Sequence, residues 1–157
     1  MPWEVTIRRA DGTTLGDRDD VVRRVSEAVP AVTWVEERAL LEQIKDMPDH
    51  PFHALIPTWP EEVRARFSRP KRYADFEGEG FSVRLFGFEE SAMDALHAEV
   101  RGNGNPVPVL AALCLPNGWV AIDDRTGQQV ELNGGAAIGW ESFRQYRDRA
   151  VDIIKKS

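Results

Sequence analysis

A chain of 157 residues suits one globular domain, and 42% hydrophobic with 29% charged residues is too apolar a mixture for a disordered chain. Twenty-six acidic against twenty basic side chains give a formal charge of −6, which argues against general affinity for nucleic acid or anionic membranes; it suits a basic protein partner, and solubility alone explains it equally well. Cys114 is the single cysteine, which excludes an intrachain disulfide; no signal peptide is visible and no apolar run approaches the ~20 residues of a membrane span, so a cytoplasmic protein is expected.

Residues 3–9 alternate Trp3, Val5 and Ile7 with Glu4, Thr6 and Arg8, the period of a half-buried strand. Asp11-Gly12 marks a turn. Residues 18–29 switch to helical spacing, with Val21, Val22, Val25, Ala28 and Val29 on one face. Asp17, Asp19 and Asp20 crowd the start, where carboxylates favour the exposed N–H groups, and Pro30 ends the helix. Val32 to Glu36 reads as a second strand.

Residues 37–78 read as an irregular helical insertion. Leu40, Leu41, Ile44 and Met47 suit a helical turn or two before Pro48, and a proline-rich loop follows. Thr58-Trp59-Pro60-Glu61 matches a capping box, predicting a short helix with Val63 and Phe67 inward.

Residues 81–88 alternate as a strand. Residues 93–101 fit either period and are assigned to a strand, because Gly102-Asn103-Gly104-Asn105 demands a tight turn directly afterwards. Asn105 caps a helix with Pro106 at its first position and Val109, Leu110, Leu113 and Cys114 on its buried side; Asn117-Gly118 supplies the left-handed stop. Trp119 to Asp123, the turn Asp124–Gly127 and Gln128 to Leu132 form a predicted hairpin. A C-terminal helix carries Trp140, Phe143, Arg147, Ala150, Val151 and Ile154 along one stripe. The order β-α-β, helical insertion, β-β-α-β-β-α predicts a single α+β domain: a mixed, largely antiparallel sheet of about five or six strands, with helices packed on one face.

Catalytic signatures are missing from this pattern. The Gly102–Asn105 turn lacks the third glycine of a dinucleotide fingerprint and the Gly-Lys-Ser/Thr of a phosphate loop, and Pro106 and Pro108 remove two N–H groups an anion would use. Its glycines are read as the positive-φ residues of a structural turn. Cys114 lies on an apolar stripe near a helix C-terminus, where the dipole disfavours a thiolate. His50, His53 and His97 fall short of a zinc ligand set, so neither metal nor cofactor is expected. Asp123 and Asp124 are read as turn formers. The basic segment Arg64, Arg66, Arg69, Lys71 and Arg72 is followed at once by Asp75, Glu77 and Glu79, which makes nucleic-acid binding a poor reading.

Two surfaces remain as candidates. A protein interface would use Trp59, for which the pattern offers no core role, and Phe86 or Phe88, of which only one fits the inward face of its strand; packing of the insertion onto the sheet is the equal alternative. A small-molecule site or unrecognised active site would use the turn Gly102, Asn103, Gly104 and Asn105 with Arg101, Glu99 and His97 beside it.

The run Glu99-Val100-Arg101-Gly102-Asn103-Gly104-Asn105-Pro106, then Pro116-Asn117-Gly118-Trp119 and Asp124-Arg125-Thr126-Gly127, resembles a group of small uncharacterised bacterial proteins. In that group a strand ending in Val-Arg-Gly-x-Gly-Asn/Asp-Pro leads through one helix to Asn-Gly-Trp and a hairpin. The resemblance spans residues 95–132, about a quarter of the chain, and implies architecture without an activity. In size, charge and architecture the chain also resembles immunity proteins, which neutralise a cognate toxin. The expectation is therefore a non-enzymatic protein-binding module, a toxin-neutralising or adaptor protein with a basic partner.

Overall fold

The computed structural model describes residues 1–133 and 138–156. Along the chain run β1 (Trp3–Arg9), β2 (Gly16–Asp17), α1 (Arg18–Ala28), β3 (Thr33–Glu37), α2 (Leu40–Lys45), α3 (Phe52–Leu55) and α4 (Glu61–Phe67). Then come β4 (Lys71–Gly78), β5 (Phe81–Phe86), β6 (Ala92–Met93), β7 (Leu96–Gly102), α5 (Val107–Cys114), β8 (Trp119–Asp123) and α6 (Ile138–Lys156). Six strands form one sheet in the order β3-β4-β5-β7-β1-β8, with every neighbouring pair antiparallel. β2 and β6 pair separately as a short ribbon, unforeseen because two residues per strand carry no periodic signal.

The alternation in β1 decides which side of the sheet is covered. Trp3, Val5 and Ile7 are fully buried, and the residues between them are not. Register carries the same face across the sheet through Leu96, Ala98 and Val100 of β7 and Val83 and Leu85 of β5. Val21 and Val25 of α1, Leu110 and Leu113 of α5, and Trp140 and Phe143 of α6 complete this one core. α6 is pinned to β1 by rings: Trp3 lies 5.6 Å from Trp140 and 6.3 Å from Phe143, centroid to centroid. The expected placement of Val151 and Ile154 on the stripe of α6 lies outside the described side chains.

Polar bonds tie the helices into register. Asp20 in the first turn of α1 takes hydrogen bonds from Arg23 (2.5 Å) and Arg24 (2.8 Å), which also suits the helix dipole. Arg24 donates as well to the side-chain oxygen of Asn117 (2.9 Å), joining α1 to the turn after α5. Trp34 Nε1 donates to Ser26 (3.1 Å), holding edge strand β3 under α1.

The irregular insertion is shorter than its expected span, because residues 71–78 form β4 between β3 and β5. The capping box does not form. Thr58 donates its hydroxyl proton to the Leu55 carbonyl (2.5 Å), closing a 3-10 turn, and Pro60 opens α4 without a side-chain cap. The return strand expected at 128–132 reduces to a single bridge between Ile122 and Gln129, after which Val130 and Leu132 are buried in the core. The strand expected over 81–88 ends at Phe86, because Gly87 turns the chain at φ +115°.

Candidate functional site

The core occupies one side of the sheet, and among the described residues the other side holds none that is fully buried. Strand register sorts its side chains into rows. A charged row runs from Asp75 of β4 through Arg84 of β5 and Glu99 of β7 to Glu4 of β1. Two residues further along each strand lies a more apolar row, Tyr73, Phe86, His97, Thr6 and Ile122. On the other flank Glu77, Ser82 and Arg101 form a third, polar row.

The charged row is not simply alternating. Glu99 stands directly between Arg84 and Glu4 in the register. Arg84, however, donates through Nε (2.7 Å) and Nη2 (3.0 Å) to the two oxygens of Asp75, and its Cζ lies 4.4 Å over the Tyr73 ring. The guanidinium is thus drawn toward β4, and the Asp75 hydrogen bonds raise its pKa further. Glu99 is left with Arg101 at 3.6 Å and a like charge opposite it on β1, an arrangement that costs sheet stability. Desolvation, and then the hydrogen bond Tyr73 donates to Glu37 (3.1 Å), raise the Tyr73 pKa and keep its hydroxyl protonated. Between the charged and polar rows lies a groove of about 200 Å³ lined by Asp75, Glu77, Ser82, Arg84, Glu99 and Arg101.

Of the residues singled out by pattern, His97, Glu99, Arg101 and Phe86 share this open face. Phe88 does not. It is 1% exposed and meets Trp34 edge-on at 5.0 Å, so the interface role expected of it is replaced by a core role. Trp59 is half-buried between Phe52 (5.7 Å) and Phe67 (5.4 Å), at the centre of a small aromatic cluster that holds α3 and α4 together. That contact supplies the packing explanation its sequence context withheld.

Two backbone N–H groups of the turn Gly102–Asn105 are taken up by its own bonding. The N–H groups of Asn103 (2.9 Å) and Gly104 (2.8 Å) both donate to the Gly80 carbonyl, and that of Val107 donates to the Asn105 side chain (3.0 Å). Gly102 and Gly104 are required by space: a Cβ would lie 2.3 Å from the Gly80 oxygen and 2.2 Å from the Glu79 oxygen respectively. The ligand role expected of Gly102, Asn103, Gly104 and Asn105 thus gives way to packing of two turns against each other.

The single cysteine, the histidines and Asp123 are accounted for by burial or by structural contacts. Burial pushes the Cys114 thiol up to about 12. His53 Nε2 lies 2.7 Å from the carbonyl oxygens of both Ile44 and Met47, so it carries the proton and donates to the backbone after α2. His50 Nδ1 accepts the Phe52 N–H (3.1 Å). Thr6 donates its hydroxyl proton to Asp124 (2.6 Å), so His97 Nδ1, 3.4 Å from the same oxygen, meets it as a donor and cannot act as its base. Asp123 is buried on the covered face opposite Val5, and its carboxylate takes the Arg125 N–H (2.9 Å), which forms the turn after β8. Among the described residues no three His, Cys, Asp or Glu side chains gather as metal ligands, and no helix is long and apolar enough to cross a membrane. In the basic segment, Arg69 pairs with Glu90 and Arg72 with Glu36 (3.8 Å), which internally neutralises part of it.

Pattern reasoning missed Asp75, Tyr73 and Glu77, all on β4. The available signal was the alternation of Tyr73, Asp75 and Glu77 with Arg72, Ala74 and Phe76. The chain matches no protein-family model, no curated protein and no solved structure.

Proposed function

We propose that this protein is a non-enzymatic protein-binding module that docks a basic partner on the uncovered face of its sheet, in the manner of toxin-neutralising and adaptor proteins. The observation that carries the reading is the face itself: a charged row beside an aromatic one, spanning β4, β5, β7 and β1, with no residue fully buried. Half-buried Tyr73, Phe86 and Ile122 supply apolar contact area, and the chain's net charge of −6 steers a basic partner toward it. The alternative, a small-molecule site at the Gly102–Asn105 turn, has weaker support because the N–H groups of Asn103 and Gly104 are engaged internally.

The test is a paired capture with immobilised wild type and Phe86→Lys/Ile122→Lys, a variant that reverses the character of the aromatic row and leaves the covered face untouched. A protein retained by the wild type, and lost by a variant of unchanged circular dichroism, supports the reading. Equal retention by both, or no specific partner for either, overturns it. Co-expression with products of neighbouring genes then separates the two kinds of module, since only a toxin-neutralising protein restores growth.

A further inference from the structure

We infer that the groove between the charged and polar rows is the seat of one cationic side chain, a lysine or arginine, of the docked partner; this rests on the reading of the open face as the docking surface. The groove is about 200 Å³, open to solvent, and bounded by carboxylates of β4 and β7 with the Ser82 hydroxyl between them. Five ionisable groups line it, and their pairing is uneven. Asp75 and Arg84 satisfy each other through two hydrogen bonds. Among the described residues the closest cation to Glu99 is Arg101 at 3.6 Å, whose side chain is 59% exposed, with Arg84 acting from farther off, and Glu77 has no ion-pair partner.

The cross-strand cation nearest Glu99 acts on it through space alone, since its hydrogen bonds are made to Asp75. Arg84 is the cross-strand neighbour of Glu99, but Asp75 and the Tyr73 ring hold its guanidinium over β4. Glu4, directly opposite Glu99 on β1, is a second negative charge in the cross-strand register. A cation entering from outside relieves this like-charge pair, and meets Glu77 and Glu99 without displacing the Asp75–Arg84 pair. Three carboxylates against the two guanidiniums of Arg84 and Arg101 leave the groove one formal charge negative, and Arg84 already donates to Asp75, so the lining favours a cation over an anion. The aromatic row, one step along each strand, lies about 7 Å from the charged row, within reach of an apolar side chain next to the cation.

Amide shifts of the isotopically labelled full chain, titrated at physiological salt with a capped leucyl-arginyl-leucyl peptide and its lysyl and glutaminyl counterparts, test this. The arginyl and lysyl peptides are expected to shift Glu77, Ser82, Glu99 and Arg101 saturably. Replacing the cation by glutamine, or the protein by Glu77→Gln/Glu99→Gln, is expected to weaken binding about tenfold. Absence of binding, equal binding of the glutaminyl peptide, undiminished affinity of the double variant, or shifts centred instead on Asp19 and Asp20 of α1 each overturn the inference. Because the paired capture alters Phe86 and Ile122 and leaves the groove intact, a partner lost there alongside a negative peptide result sinks the cation seat and spares the docking face.

Discussion

Arg147 of α6 donates through Nη1 to the carbonyl of Gly102 at 2.9 Å, fastening the C-terminal helix to the tip of β7. The same guanidinium donates to the Asn103 side chain (2.5 Å) and lies 5.9 Å from the Trp140 ring. Its side chain is only 13% exposed, so these charge-assisted bonds are poorly replaced by water. Arg147→Ala is expected to destabilise by about 2 kcal/mol in urea unfolding. Hydrogen exchange should quicken more in α6, through local opening, than in β1 and β7, which follow the global stability; equal quickening throughout would refute a local fastening.

Two glycines with positive φ separate the steric from the conformational requirement. Gly118 has φ +68° with open space where a Cβ would go, so Gly118→Ala is expected to cost about 1 kcal/mol. Gly102 has φ +104° and backbone atoms of Gly80 and Phe81 within 3 Å of an added Cβ, so Gly102→Ala should exceed about 3 kcal/mol. Denaturant midpoints of the two variants, measured side by side, check the ordering.

Acid should weaken the start of α1 in a defined window. Hydrogen bonds from Arg24 and then Arg23 lower the Asp20 pKa below its ordinary 3.8. A depressed carboxylate stabilises the fold above its unfolded-state pKa, and that contribution is lost as pH falls through the folded value. The difference in urea midpoint between wild type and Asp20→Asn should therefore be constant from neutral pH down to about 4 and shrink below it. A difference that persists in stronger acid would assign the effect to something other than Asp20 ionisation.

Cys114 is expected to be inert in the native protein. With its pKa near 12 instead of 9.0, the thiolate fraction at mildly alkaline pH falls about a thousandfold, and burial adds steric exclusion. Alkylation by iodoacetamide should therefore follow the unfolding equilibrium and become fast in denaturant. Rapid labelling of the folded protein would contradict the core placement.

Strands whose two faces differ sharply in polarity were legible from residue types alone. β1, with Trp3, Val5 and Ile7 against Glu4, Thr6 and Arg8, is the clearest case. β4 was obscured because its covered face offers Arg72, Ala74 and Phe76, a weak apolar signal, and its open face is charged. Only the neighbours on both sides turn that segment into a strand, and a neighbour is a tertiary fact. The same limit applied to the site. Period two places His97, Glu99 and Arg101 on one face of β7, which one strand can reveal. That Arg84 stands opposite Glu99 yet bonds to Asp75 depends on register among three strands, which no single segment encodes.

The place of β1 in the sheet governs the order in which the fold can be completed. Its partners are β7 and β8, so Trp3 waits for Val100 and Val5 for Asp123. At ribosomal speeds of about 5–20 residues per second, β1 spends roughly 5–20 s outside the ribosome before both partner strands emerge. The β3-β4-β5 meander can pair during that interval, but β7 and β8 cannot be bridged until β1 inserts between them. This long-range closure makes refolding slow relative to helical proteins of similar size. It also leaves the apolar side of β1, with Trp3 at one end, as the surface a chaperone would shield during synthesis.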